Sequence, residues 1–163
     1  MRKQLSLILA GGLTLLSGAA HAGTATSSFG VQLTINANCI INSTNTMDFV
    51  SAGVITANID KQADINIQCT NTTPFKIGLN AGLGVGATIA VRKMTGPGGA
   101  TINYSLYQDA ARTTLWGNTP PTDTVNPNGT GASLPYTVYG RVPAQNTPAP
   151  GAYTDTITVT VTY

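Results

Sequence analysis

The chain has 163 residues, of which 42% are hydrophobic and only 9% are charged. This composition allows a sizeable core and lacks the high charge of disordered chains. Eight Lys and Arg residues stand against six acidic residues, all of them Asp, with one His.

Residues 1–22 have the pattern of a secretory signal peptide. Arg2 and Lys3 precede an apolar stretch, residues 5–16, that is short for a membrane span. Ala20-His21-Ala22 is a small-x-small cleavage site. We therefore expect export through the periplasm and no membrane insertion after cleavage. The alternative is an uncleaved anchor.

Cleavage after residue 22 leaves 141 residues with six basic and six acidic side chains, and it removes His21. A net charge of zero gives no electrostatic basis for nucleic-acid binding. Without His or Glu, a Ser-His-Asp or Cys-His catalytic site cannot be built, so an enzyme is disfavoured. The spacing of Asp48, Asp60 and Asp64 matches no calcium loop, and we expect no metal or other cofactor.

The mature chain begins with a segment of strict alternation. Its apolar side chains are Phe29, Val31, Leu33 and Ile35, and small or polar residues separate them. This is the period of a strand with one buried face. The pattern alone does not distinguish an internal strand from one donated to another subunit.

Two cysteines follow, Cys39 and Cys69. An even count in an exported chain favours a disulfide, placed here as a bridge across the core. The closed loop would hold 31 residues, worth about 3.5–4 kcal/mol of chain entropy. Two free buried thiols are the alternative.

Short alternating runs separated by Gly, Pro, Asn and Thr fill the rest of the chain. This pattern is typical of an antiparallel sandwich or barrel, in which Tyr and Trp residues pack in the core and across strands. Arg92-Lys93 reads as a solvated strand end. The runs lie at residues 39–41, 47–50, 63–69, 75–79, 91–94, 102–107 and 133–142.

The final segment is the most regular strand. Ile157, Val159, Val161 and Tyr163 alternate with threonines, and no residues follow to form a return strand. We therefore expect an unpaired sheet edge and an uncovered apolar groove. The apolar row near the N-terminus is the complementary part.

Several motifs together resemble one family, the spore coat protein U domain, the subunit type of archaic (Csu-type) chaperone–usher pili. Their order and spacing cover nearly the whole mature chain. They are the alternating segment before Cys39, the pair Cys39 and Cys69, Arg92-Lys93-Met94, Tyr104-Ser105-Leu106-Tyr107 with Asp109, Trp116-Gly117, Tyr139-Gly140-Arg141, and Gly151-Ala152-Tyr153-Thr154-Asp155.

The resemblance implies an incomplete immunoglobulin-like β-sandwich that lacks its last strand. It also implies three kinds of partner: other pilin subunits, a periplasmic chaperone and an outer-membrane usher. By the resemblance, Phe29, Val31, Leu33 and Ile35 insert into a neighbouring subunit, and the chaperone pairs with residues 156–163. The family offers no enzymatic activity.

The resulting hypothesis divides the chain into a signal peptide (1–22), a donor-strand arm (23–36) and a β-sandwich domain (37–163). The protein would be a structural pilin subunit at the cell surface that polymerises by donor-strand exchange and supports adhesion and biofilm formation. The alternatives are a minor or tip subunit that binds a surface or glycan, and a structural protein of a spore or cyst coat.

Overall fold

The computed structural model describes residues 21–163, so the predicted signal peptide lies almost wholly outside the described part. The chain divides into two units after Thr34. The second unit holds the strands β1 (Cys39–Thr44), β2 (Ile59–Cys69), β3 (Lys76–Leu79), β4 (Arg92–Thr95), β5 (Thr101–Tyr107), β6 (Ser133–Val142) and β7 (Val159–Thr162).

Five strands form one antiparallel sheet in the order β1-β2-β6-β5-β4. Its longest ladder pairs β2 with β6, from Ile59 opposite Val142 to Gln68 opposite Ser133. The two strands present their apolar side chains to the same face because each alternates with period two. Ile65 and Ile67 are buried there.

The other sheet consists of β3 and β7, also antiparallel. Ile77 and Leu79 of β3 are almost fully buried, and Trp116 donates its indole N–H to the Ile77 carbonyl at 2.8 Å. One core joins the two sheets, as a sandwich requires. It includes Ile65, Ile67, Ile77, Leu79, Tyr104, Leu106, Trp116, Val138 and Val142.

A tight turn with a short 3₁₀ segment, Pro97–Gly99, joins β4 to β5. Gly98 and Gly99 have φ angles of 66° and 81°, values that residues with a Cβ adopt at a cost. The glycines thus permit the hairpin that brings Met94 opposite Ile102.

Cys39 and Cys69 form a disulfide, as predicted. Its placement differs from the expected bridge across the core, because the two cysteines face each other in the β1–β2 ladder of one sheet. The bond therefore ties the edge strand β1 to its neighbour.

Three further expectations need correction or restriction. Residues 47–50, expected as a strand run, are irregular, and Arg92 is fully buried instead of solvated. In residues 21–34, described by themselves, the alternating segment is not a strand. Alternation provides the faces of a strand, but a strand forms only where a ladder partner is present.

Candidate functional site

An open groove runs beside β7 in the unit of residues 35–163. It has a volume of about 840 Å³, and its two walls are residues 41–49 and 153–159. Its floor is apolar and includes the buried side chains of Ile65, Leu79 and Val138. We refer to this space as the groove. It is a part of the core that has no covering strand among the described residues.

The β7 wall presents free backbone groups. Asn80 donates its N–H to the Thr158 carbonyl at 3.1 Å, which makes that pair hydrogen-bonded in the β3–β7 ladder. Because alternate residues of an antiparallel strand point their backbone groups to opposite sides, Val159 and Val161 point theirs away from β3. The facing residue Leu79 confirms this, since its N–H bonds to the Gly117 carbonyl instead.

The β1 wall is free in the same way. Thr70 donates its N–H to the Asn38 carbonyl at 3.0 Å. By the same alternation Cys39 and Ile41 point their backbone groups away from β2. Both strands that border the groove therefore have an unpaired side. The residues that flank them are in contact, since the Tyr163 hydroxyl, after β7, donates to Asn38 Oδ1, before β1, at 3.1 Å.

A partly buried polar network also borders the groove. Tyr104 donates its hydroxyl to Asp155 Oδ2 at 2.7 Å, and the Leu83 and Thr156 N–H groups donate to Asp155 Oδ1, each at 2.7 Å. Burial, followed by the bond to Asp155, raises the pKa of Tyr104 above its usual range. Tyr104 therefore stays a protonated donor.

Arg92 lies behind this network and donates to four backbone carbonyls. Its longest bond is 3.2 Å, and its Nη2 reaches the Leu79 and Trp116 carbonyls at 3.1 and 2.7 Å. Burial lowers the pKa of the guanidinium. Through Asn80, one of its acceptors, Arg92 supports the residue that pairs with Thr158.

A second cavity of about 710 Å³ adjoins the groove. The two spaces meet at Met47, Asp48 and Phe49 on one wall and at Met94 and Tyr153 on the other. We call residues 46–54 the strap, because this irregular segment crosses the boundary. We call the second space the far cavity.

The predicted site residues fall into two groups. Phe29, Val31 and Leu33 are 88%, 85% and 85% exposed in their unit, and Ile35 is 75% exposed. On the β7 wall, Ile157, Val159 and Val161 are half-buried against the core, whereas Tyr163 is 57% exposed.

Sequence reasoning missed the strap residues Met47 and Phe49, the buried Arg92 and the half-buried Asp155. Met47 and Phe49 are apolar residues at alternate positions, and this spacing predicted a strand instead of the irregular segment that the structure shows. Nothing in the local sequence indicates that Arg92 is buried, because three of its four partners are backbone carbonyls 12 to 24 residues away along the chain.

In the described part of the chain, no three His, Cys or Asp side chains are grouped so that they could hold a metal ion. Across residues 21–163, no helical segment has the length and hydropathy needed to cross a bilayer.

An all-β sandwich with an uncovered groove between two unpaired strand sides defines a class of incomplete β-sandwich proteins. The model of the Spore Coat Protein U domain matches residues 25–160. Protein U of Myxococcus xanthus is 31% identical over 159 residues, covering 88% of each chain. The chain belongs to the Spore Coat Protein U domain family.

A solved structure shares this fold. It is a chain of the chaperone–tip adhesion subunit pre-assembly complex (CsuC–CsuE) from archaic chaperone–usher Csu pili of Acinetobacter baumannii. The likeness has a TM-score of 0.58 and 20% identity, and it covers 80% of this chain and 41% of that one. The chain thus spans about two fifths of that relative's length.

Proposed function

We propose that the protein is a structural subunit of a chaperone–usher surface pilus, and that residues 23–36 of one subunit complete the sandwich of the next. The observation that carries the proposal is the groove, with an apolar floor and a free backbone side on each wall. An extended apolar segment is the occupant that satisfies both features.

The arm has the matching chemistry. Its apolar row, Phe29 to Ile35, contains four side chains at alternate positions, and residues 157–163 carry four at the same spacing. Two of these, Ile157 and Val159, line the groove. Each row spans about 20 Å at roughly 3.3 Å per residue. The arm residues are at least 75% exposed, so their burial in a neighbour removes apolar surface from water.

The energies of this insertion nearly balance for the arm alone. Burying four such side chains contributes about 6–12 kcal/mol, while ordering seven residues costs roughly 7–14 kcal/mol. Ladder hydrogen bonds of about 1 kcal/mol each tip the balance, together with completion of the acceptor's half-buried core. A contact of this kind is head-to-tail and therefore propagates as a filament.

The partners follow from the same surface. A subunit with this groove exposes strand sides that promote aggregation, so a periplasmic chaperone that covers β7 and an outer-membrane usher are the partners we infer. The fold shared with a chaperone–subunit complex supports this inference. Surface display, adhesion and biofilm formation complete the proposed role.

A coat component is the second candidate. The family description names a spore coat, and Protein U of Myxococcus xanthus is a relative. In a coat the same groove and arm would join subunits without an usher.

The experiment compares two single substitutions in the arm, expressed with the chaperone and usher. Leu33→Asp places a charge in the apolar row and should abolish subunit ladders on unboiled SDS gels. Gln32→Asp places the same charge on the opposite face and should leave the ladders intact. Deleting residues 23–35 should leave a chaperone-bound monomer.

Ladders that persist with Leu33→Asp, or a stable monodisperse monomer of the unaltered mature chain without chaperone, would contradict the proposal. Assembly that needs the arm but not the usher would favour the coat component.

A further inference from the structure

We propose that Phe49, supported by Met47, is the end stop of the groove and limits the inserted strand to four apolar side chains. This inference rests on the proposed function, because it concerns the strand that enters the groove. It assigns a specificity-determining role to a residue of the strap.

The position of Phe49 carries the first step. It is one of five residues that line both the groove and the far cavity, so its side chain lies at the boundary between the two spaces. The far cavity is itself partly apolar, with Ile55, Met94 and Val142 in its lining. Without a barrier, a longer apolar strand would find further contacts there.

The side chain is held firmly, as a stop must be. Its ring packs edge-to-face on Tyr104, with centroids 6.2 Å apart, and Tyr104 is anchored by its bond to Asp155. Gly140 of β6 leaves the space that the strap side chains fill. A Cβ at Gly140 would lie 2.8 Å from Phe49 Cζ and would overlap Met47 Sδ.

The strap around the side chain is not built as a strand. Val50 has a φ of 62°, a conformation that β-branched residues rarely adopt, and its N–H bonds to Asp48 Oδ1 at 2.7 Å. Val50 and Val54 are 61% and 78% exposed. The backbone thus turns away at Phe49 and provides no ladder for a strand that continues past it.

The opposite wall becomes polar near the same place. Moving along the wall from Ile157, the next position on that face is Asp155, whose carboxylate already accepts three hydrogen bonds. A fifth apolar side chain would meet this polar group and the Phe49 ring. The four positions from Ile157 to Tyr163 therefore match the four of the arm.

The experiment measures how peptide affinity depends on the length of the apolar row. The probe is a synthetic peptide of residues 24–38, compared with versions that add a fifth apolar residue, Ser27→Val or Ala37→Val. The receptor is the full mature chain with Leu33→Asp, which removes competition from its own arm. It is refolded with each peptide, and binding is followed by fluorescence anisotropy.

In the receptor with Phe49, neither fifth residue should raise affinity more than about threefold. Phe49→Ala joins the two cavities, so one of the two extended peptides should gain about tenfold or more from burial of the added valine. Phe75→Ala is the matched control, since Phe75 also packs edge-to-face on a tyrosine, at 5.9 Å from Tyr136. It should show no such gain.

The inference is overturned if an extended peptide gains equally with Phe49 present, if neither gains with Phe49→Ala, or if Phe75→Ala gives the same effect. If Phe49→Ala fails to refold, Phe49→Leu serves instead, with a smaller gain expected in the same direction. Failure of the unaltered peptide to bind at all would count against the proposed function rather than the stop.

Discussion

Replacing Arg92 by Met should destabilise the fold far more than its position at the start of β4 suggests. The guanidinium is fully buried and donates to the carbonyls of Leu79 and Trp116 in the core. A methionine fills similar volume but donates nothing. The two carbonyls belong to the backbone and remain in place without a partner.

The magnitude follows from these two buried bonds. A buried acceptor left without a partner costs about 1–3 kcal/mol, so the loss is about 2–6 kcal/mol. Removal of a buried charge often recovers desolvation energy when its partners are replaced as well. Here the partners stay, so the unpaired carbonyls dominate. Since domains have roughly 5–15 kcal/mol of stability, this loss is a large fraction.

Urea unfolding of the oxidised mature chain measures the effect, in the Leu33→Asp background to prevent assembly. Arg92→Met should lower the midpoint by roughly 1–3 M, given a slope of about 2 kcal/mol/M. The midpoint of Arg92→Lys should lie between those of the unaltered residue and Arg92→Met, because an ammonium keeps the charge but lacks the planar set of donors of a guanidinium. Lys93→Met, on the neighbouring and partly exposed residue, is the control. An unchanged midpoint for Arg92→Met would refute the reasoning.

Three other perturbations address separate features. Replacing Cys39 and Cys69 together by Ser opens a 31-residue loop and should reduce the free energy of unfolding by about 3.7 kcal/mol, measured by urea titration. Equal stability of the double variant and the oxidised, unaltered chain would contradict the chain-entropy account. Gly140→Ala should cost about 1–3 kcal/mol through overlap with the strap, whereas Gly53→Ala, which meets no atom within 4 Å, should change the thermal midpoint little. The hydrogen bond from Arg141 and the charges of Arg112 and Arg141 lower the pKa of Asp60. The Asp60 carboxylate therefore stabilises the fold fully above the unfolded-state pKa of about 4. This contribution is lost as pH falls through the lower pKa of the folded state. Asp60→Asn should therefore weaken the fall in unfolding free energy at acid pH. An unchanged fall would show that the Asp60 ion pair does not contribute to this pH dependence.

Alternation in the sequence predicted most of the strands because one face of each is buried. The runs around Ile65, Ile77, Tyr104 and Val138 all became strands with those side chains in the core. The same reasoning was wrong at residues 47–50, where two apolar positions also alternate. There the side chains pack against the core from an irregular segment, through contacts with β5 and β6.

Burial of charge was equally beyond the sequence. Arg92 next to Lys93 reads as a polar strand end, yet one side chain is buried and the other is not. The difference depends on four carbonyls contributed by residues as far away as Trp116. Such acceptors are present at every residue, so no residue type marks them.

By itself the sequence determined the all-β class, the cysteine pair and the two apolar rows, at residues 29–35 and 157–163, because local periodicity and composition carry these features. Tertiary structure alone decided that β1 and β7 border one groove, which of their backbone groups are free, and that Phe49 lies at the boundary between the groove and the far cavity. These properties depend on the register and packing of strands distant in the chain. Each is set by contacts that no single segment contains.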